Sequence, residues 1–241
     1  MERPAIAIEG LDFCYGSDLP LALRGVNLTV EQGERCLVVG ANGAGKTTLL
    51  RLIAGKHMIP DRALRVLGRP AFSDTSLAAE VAFLGGAFPF EVDVQVGDML
   101  AGLGGDPQRQ RRLVQILEVD LSWRMHRISD GQRRRVQLLM GLLHPFAVLL
   151  LDEITTDLDL LGRADLLRFL RQESEQRGTC ILYATHIFDR LEAWSTHLVF
   201  LHRGRLLLKR PVDQIDQLRK MRQRGVLHPL SRMLEGWMRD A

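Results

Sequence analysis

The sequence predicts an α/β fold built on a mixed sheet, with an antiparallel β subdomain and an inserted helical lobe. Three observations carry the prediction. Short apolar runs of strand type recur along the chain, at residues 36–39, 81–84, 147–151, 180–184 and 197–201. The first of them leads directly into a glycine-rich turn and a helix. Between residues 86 and 143 the pattern changes to helical spacing.

Each element has a local reason. Val26, Leu28 and Val30 alternate with Asn27 and Thr29, as in a half-buried antiparallel edge, and the turn EQGE follows at 31–34. The unbroken run from Cys36 to Val39 instead suits a strand covered on both faces. A helix is expected over 46–54, with Leu49, Leu50, Leu52 and Ile53 on its buried side and Gly55 available to end it. In the helical stretch, Asp106 and Pro107 read as a cap and a first helical position. Ser129 and Asp130 precede Val136, Leu139, Met140 and Leu143, which keep i, i+3, i+4, i+7 spacing. These helices form the expected lobe, at about 87–143, followed by a turn at His144 and Pro145 and a buried strand. Leu230, Met233, Leu234, Trp237 and Met238 share one helical stripe, expected to pack on the rest of the chain. The expected division is a main domain over 1–210 and a basic helical extension over 211–241.

Composition bounds the function. A chain of 241 residues, 46% apolar, with 32 Lys or Arg against 29 Asp or Glu, is neither disordered nor fibrous. A net charge of +3 is too mild to argue for nucleic acid. The excess is local, since residues 203–241 hold 10 basic against 4 acidic side chains, +6, and the remainder is −3. Such a tail suits an acidic partner, RNA or simply solvent, so a nucleic-acid partner stays open. The opening MERPAIAIEG has no uninterrupted apolar core and is not expected to be a signal peptide. The most apolar stretch, 136–151, is interrupted by Gln137, Gly141, His144 and Pro145 and is too short for a bilayer. Three widely spaced cysteines without a CxxC pair fit reduced thiols and a cytoplasmic location.

The motif that carries chemistry is Gly40-Ala41-Asn42-Gly43-Ala44-Gly45-Lys46-Thr47, which fits GxxxxGK[ST] between a buried strand and a helix. Its glycines let successive backbone N–H groups turn inward as an anion nest, at the positive end of a helix dipole. Lys46 would reach the β- and γ-phosphates of a nucleotide, and Thr47 would ligate Mg²⁺. A second apolar strand ends in Asp152-Glu153, two acids delivered at a carboxyl edge where open α/β sheets bind ligands. Asp152 would hold Mg²⁺ directly or through water, and Glu153 would orient or deprotonate an attacking water. Taken alone, the two acids would also suit a solvated helix start.

With further motifs in order around this loop, the chain resembles the ATP-binding cassette (ABC) ATPases, a P-loop NTPase family, over nearly its whole length. Ile128-Ser129-Asp130-Gly131-Gln132 resembles the LSGGQ signature, Asp157-Leu158-Asp159 the D-loop, Thr185-His186 the switch histidine, and Tyr15 the aromatic that stacks on adenine. The resemblance implies ATP and Mg²⁺ as cofactors. It places Tyr15, Gly40, Asn42, Gly43, Ala44, Gly45, Lys46, Thr47, Thr48 and Asp152 on ATP, with Thr47 and Asp152 on the metal. Glu153 and His186 would be catalytic. Ser129, Gly131, Gln132 and Asp159 would act across a homodimer that sandwiches two ATP molecules. Isolated, Ser-Asp-Gly is a capped helix start and a single histidine is unremarkable. Arg133, Arg134 and Arg135 either offset the nucleotide's charge, remain solvated or bind a groove elsewhere.

Three departures qualify the resemblance. The family's Gln after the strand 81–84, which contacts Mg²⁺ or water and lines the groove for a membrane subunit, is replaced by Gly85-Gly86. The D-loop segment reads Glu153-Ile154-Thr155-Thr156-Asp157-Leu158-Asp159 without the usual Pro, and Asp130 replaces the signature's first Gly. With SDGQRRRVQ, LLLDEITTDLDLL and YATHIFDRLE, these features resemble small soluble ABC proteins typified by a yeast factor associated with the deadenylase and transcription-regulatory complex. The implied function is an ATPase with a soluble regulatory or assembly role and a regulatory protein complex as partner. The alternative is the ATP-hydrolysing subunit of a membrane transporter.

Overall fold

The computed structural model describes residues 3–86, 92–155, 158–188 and 191–240. Two sheets organise them. The first holds β1 (Ile6–Phe13), β2 (Leu23–Val30), β4 (Leu64–Val66) and β5 (Arg69–Pro70), antiparallel in the order β2-β1-β4-β5. The second holds β3 (Arg35–Val39), β6 (Val81–Leu84), β7 (Val148–Asp152), β8 (Cys180–Ala184), β9 (His197–His202) and β10 (Arg205–Pro211), in the order β10-β9-β3-β8-β7-β6. All its neighbours are parallel except the β9–β10 hairpin, so the sheet is mixed, as expected.

The strand types follow burial. β3, β7 and β8 are buried at every residue, which is why RCLVV, VLLLD and CILYA read as nearly continuous apolar runs. β2 lies at the margin of its sheet; the strand begins at Leu23, and its burial alternates from Val26 through Leu28 to Val30, as the spacing suggested. Its ladder to β1 slips twice, between Ile8 and Leu11 and between Leu11 and Phe13. There side chains replace ladder bonds: Gly10 N–H donates to Asn27 Oδ1 at 2.8 Å, and Gly25 N–H donates to Asp12 Oδ1 at 2.7 Å.

The mixed sheet separates two cores, because successive strand residues point to opposite faces. Cys36, Val38, Leu150, Leu182 and Val199 face α1 (Lys46–Ile53) and the antiparallel sheet. Leu37, Val39, Leu151, Tyr183 and Phe200 face the other helices. Of these, α2 (Val96–Leu103), α3 (Pro107–Ile116) and α4 (Asp130–Leu142) come between β6 and β7 in the chain. Asp106 caps α3 through the N–H groups of Gln108 and Arg109. α5 (Leu160–Arg177), α6 (Leu191–Trp194), α7 (Asp216–Gln223) and α8 (Pro229–Asp240) complete the layer. Leu230, Met233 and Leu234 are buried in that core with Trp237 and Met238 against them, so the C-terminal stripe is packed. Cys36 and Cys180 are buried free thiols, and burial pushes both pKa values up. Among the described residues, no helix is long and apolar enough to cross a membrane.

One charged contact braces the lobe. Arg109 of α3 and Glu173 of α5 are both buried and meet at 2.8 Å, while Arg109 Nε donates to the Leu142 carbonyl at the end of α4. The guanidinium also lies 4.9 Å from the Phe169 ring centre. Glu173→Ala would leave the arginine buried without its counter-charge and is expected to lower stability by about 3 kcal/mol. Urea unfolding of the variant measures this, and a loss within error of zero would contradict the bracing role.

Candidate active site

The site forms where strands β3, β7 and β8 release their carboxyl ends. β3 runs between β8 and β9, so the chain leaves it inside a packed edge. Gly40 passes so close to β9 that a Cβ there would lie 2.2 Å from the Leu201 carbonyl oxygen. Gly45, with φ +104°, would place a Cβ 2.7 Å from Leu23 Cδ2. Larger residues at these two positions would fill the turn, so its curl depends on glycine.

The loop meets α1 without a side-chain cap and with no acid in the first turn of the helix. Its N–H groups and helix dipole therefore keep their positive potential, which suits an anion. Asn42 and Gly43 are exposed on the loop, whereas Ala44 is buried. Lys46 Nζ lies over the loop, donating to the carbonyls of Gly40 at 2.7 Å and Ala41 at 3.1 Å. Burial lowers its pKa, and the nearby charges of Glu153 and Asp152 oppose that shift.

Thr47 and Asp152, the two expected metal ligands, are brought together. Burial raises the pKa of Asp152, while a hydrogen bond from the Thr47 side chain works in the other direction. A hydroxyl and a carboxylate side by side form the hard oxygen set that Mg²⁺ prefers. The residues present thus fit both a nucleotide phosphate and Mg²⁺.

Glu153 follows β7 with φ +52°, a left-handed conformation for a residue with a Cβ. Its N–H donates to the Ala184 carbonyl at 2.9 Å. Glu153 Oε1 lies 3.0 Å from His186 Nδ1, and Oε2 accepts from the His186 N–H at 3.4 Å. The expected carboxylate and histidine are therefore paired across the ends of two adjacent strands. Behind them, the Thr155 hydroxyl and the Tyr183 hydroxyl are 2.5 Å apart in the core.

Tyr15 is half exposed, and its hydroxyl bonds the Thr48 hydroxyl at 3.0 Å, which ties the aromatic to the phosphate loop's helix. His57 packs edge to face against Tyr15 at 5.2 Å between ring centres, a neighbour not anticipated from the sequence.

The remaining expected residues stand at the N-termini of two other helices. Ser129 caps α4 by accepting from the Gln132 N–H at 3.2 Å, and the Gln132 side chain accepts from the Ser129 N–H at 2.9 Å. This capping box turns the Gln132 side chain back onto the helix, so outward contact falls to the Ser129 hydroxyl and the Gly131 backbone. Asp159 caps α5 by accepting from the Gly162 N–H at 2.7 Å. Asp157 lies outside the described residues.

The arginine run resolves into three different environments. Arg133 donates to the Met125 carbonyl at 3.5 Å, and Arg135 pairs with Glu118 at 2.5 Å. Arg134 instead reaches the Gly86, Asp152 and Glu153 carbonyls, a contact the sequence reading missed. A signal existed: Arg134 extends the stripe of Leu138, Gly141 and Leu142 back by one turn.

Known proteins resemble this chain over most of its length. The profile of the ABC transporter family matches residues 23–156. ABC transporter I family member 20 of Arabidopsis thaliana is 47% identical, over 97% of this chain and 76% of its own. CCR4-associated factor 16 of Saccharomyces cerevisiae is 41% identical, over 88% of this chain and 78% of its own. A dimeric ATP-binding cassette solved in a post-hydrolysis state with ADP and phosphate superposes with a TM-score of 0.70 at 18% identity, covering 86% of this chain and 98% of that one.

Proposed function

This chain belongs to the ATP-binding cassette family of ATPases, and we propose that it is a non-transport member, cytoplasmic, whose two copies close around two ATP molecules to regulate or assemble a protein complex. ATP binding and hydrolysis with Mg²⁺ are the activity of the family. The observation that carries the residue roles is the Glu153–His186 pair at the carboxyl edge, beside Lys46 and the Thr47–Asp152 contact.

In this mechanism the loop N–H groups from Gly40 to Thr48 hold the phosphates, and Lys46 exchanges its two loop carbonyls for phosphate oxygens. Tyr15 offers a ring face to the base. Thr47 and Asp152 would hold Mg²⁺, which when bound neutralises phosphate charge. Glu153 accepts a proton from the attacking water, and His186 keeps the carboxylate oriented. Ser129, Gly131 and Asp159 meet the nucleotide of the partner protomer, while Gln132 holds the cap that presents Ser129, and the helix dipole of α4 adds attraction for the γ-phosphate. Residues 1–210 act as the ATPase unit, with about 87–143 as its lobe, and 211–241 as an extension.

Two facts support the non-transport role. The family's Gln is absent at Gly85-Gly86, where a membrane subunit's groove would be lined. A relative spanning most of the chain carries the name CCR4-associated factor 16. The second reading, a transporter's ATP-hydrolysing subunit, is favoured by the name of the 47% identical plant relative.

Glu153→Gln keeps the side chain's shape while removing its basicity, so it is expected to bind ATP and stall. Light scattering should find it dimeric with ATP and monomeric with ADP or without nucleotide, and adding Ser129→Arg should restore the monomer. A monomer in all three states would contradict the sandwich, and a dimer in all three would contradict its dependence on ATP. Affinity purification from native cells, with and without membrane solubilisation, tests the role. A soluble complex without an equimolar integral membrane protein is expected, and an equimolar membrane partner would establish the transporter reading instead.

A further inference from the structure

Arg134 sits in the second turn of α4 and reaches out of the lobe. Its Nη1 donates to the Gly86 carbonyl at 2.9 Å and to Gln137 Oε1 at 2.6 Å. Its Nη2 donates to the carbonyls of Asp152 at 3.3 Å and Glu153 at 3.1 Å. One planar group thus joins α4 to the ends of β6 and β7.

Two close approaches place it there. A Cβ on Gly141 would lie 2.2 Å from Leu84 Cδ2, so α4 rests directly on β6. A Cβ on Gly85 would lie 2.6 Å from the Asp152 Cβ, so the end of β6 rests on the end of β7. Gly86 itself has φ +73°, and among the described residues nothing lies within 4 Å of where a side chain would begin. No side chain at 86 connects the lobe to the catalytic edge, but the carbonyl at 86 is held by the lobe.

The bond to Glu153 falls on its carbonyl, leaving the carboxylate facing His186. A residue at φ +52° has few ways to be held, and fixing its carbonyl restricts ψ and with it the Cα–Cβ direction from which the side chain departs. The fork geometry of a guanidinium allows it to serve carbonyls on separate segments, which a lysine ammonium does poorly. Arg134 Nε is buried with no partner among the described residues, so the contacts of the two Nη atoms alone hold the group.

We propose that Arg134 is a positioning residue for Glu153, coupling the placement of α4 to the catalytic carboxylate in place of a side chain at position 86. The same helix begins with Ser129 and Gly131, so contact with a partner's nucleotide at one end would be felt at this protomer's own Glu153. The inference rests on the proposed role of Glu153 in hydrolysis.

The test compares Arg134→Met, Arg134→Lys, Glu153→Gln and the double variant Arg134→Met/Glu153→Gln, by single-turnover phosphate release and MgATP titration. Arg134→Met is expected to slow hydrolysis roughly ten- to a hundredfold, the scale of a misplaced catalytic group. Its ATP affinity should stay within about twofold of wild type, since the arginine does not touch the phosphate loop. Arg134→Lys should fall between, and it carries the test if the methionine variant does not fold. The double variant should be no slower than Glu153→Gln, because the two act through one group. Full activity in Arg134→Lys and Arg134→Met, or losses that multiply in the double variant, would overturn the inference. A fully active Glu153→Gln would remove the role of Glu153 and this inference with it. A slow Glu153→Gln beside a fully active Arg134→Met would sink the inference alone.

Discussion

The hydrogen bond from the Glu153 N–H to the Ala184 carbonyl, at 2.9 Å, holds the rest of the site in register. Asp152 is the last residue of β7 to pair with β8, opposite Ala184. This bond is the last rung of the ladder, and there the chain turns away, with Glu153 at φ +52°. Left-handed backbone costs a residue with a Cβ about 1–2 kcal/mol. The parallel ladder on either side over-determines the turn and sustains it. Its result is that consecutive carboxylates diverge, Asp152 toward Thr47 and Glu153 toward His186.

The electrostatics follow from that divergence. A cation and two acids share a partly desolvated edge, with burial acting against the charged forms of both Lys46 and Asp152. The ammonium is satisfied by loop carbonyls, neutral acceptors that a phosphate can displace with gain, since hydrogen bonds between charged partners are the stronger. The helix behind adds a dipole that no first-turn acid offsets. Loop, strand ends and helix therefore present complementary charge at one place, where an open α/β sheet delivers its ligand.

The parts legible in the sequence were those that backbone chemistry dictates. The glycine-rich loop, the fully buried strands and the caps at Asp106 and Ser129 each leave a local pattern. The strands β1, β4, β5 and β10 and the helices α5, α6 and α7 leave no comparably local pattern. β4 and β5 have only three and two residues. α5 places Arg163, Glu173 and Ser174 on its buried face, which blurs an apolar stripe. Arg35 donates to the Ser174 hydroxyl and Glu173 pairs with Arg109 inside the protein, where a sequence reader counts both as surface charge. Arg134 stands in a run of three arginines, and its place on the stripe of Leu138, Gly141 and Leu142, packed onto β6 through Gly141, turns it rather than its neighbours toward the sheet edge.

In the proposed mechanism the Glu153 carboxylate is aimed by His186, its neighbour across the strand ends. His186→Ala, which removes the partner 3.0 Å from Glu153 Oε1 while leaving the phosphate loop intact, tests it most directly. Phosphate release at saturating MgATP should fall at least about tenfold, in keeping with the contribution of an oriented general base. MgATP affinity should stay near wild type. A variant that binds and hydrolyses ATP at the wild-type rate would contradict the assignment of Glu153 and His186 as a working pair.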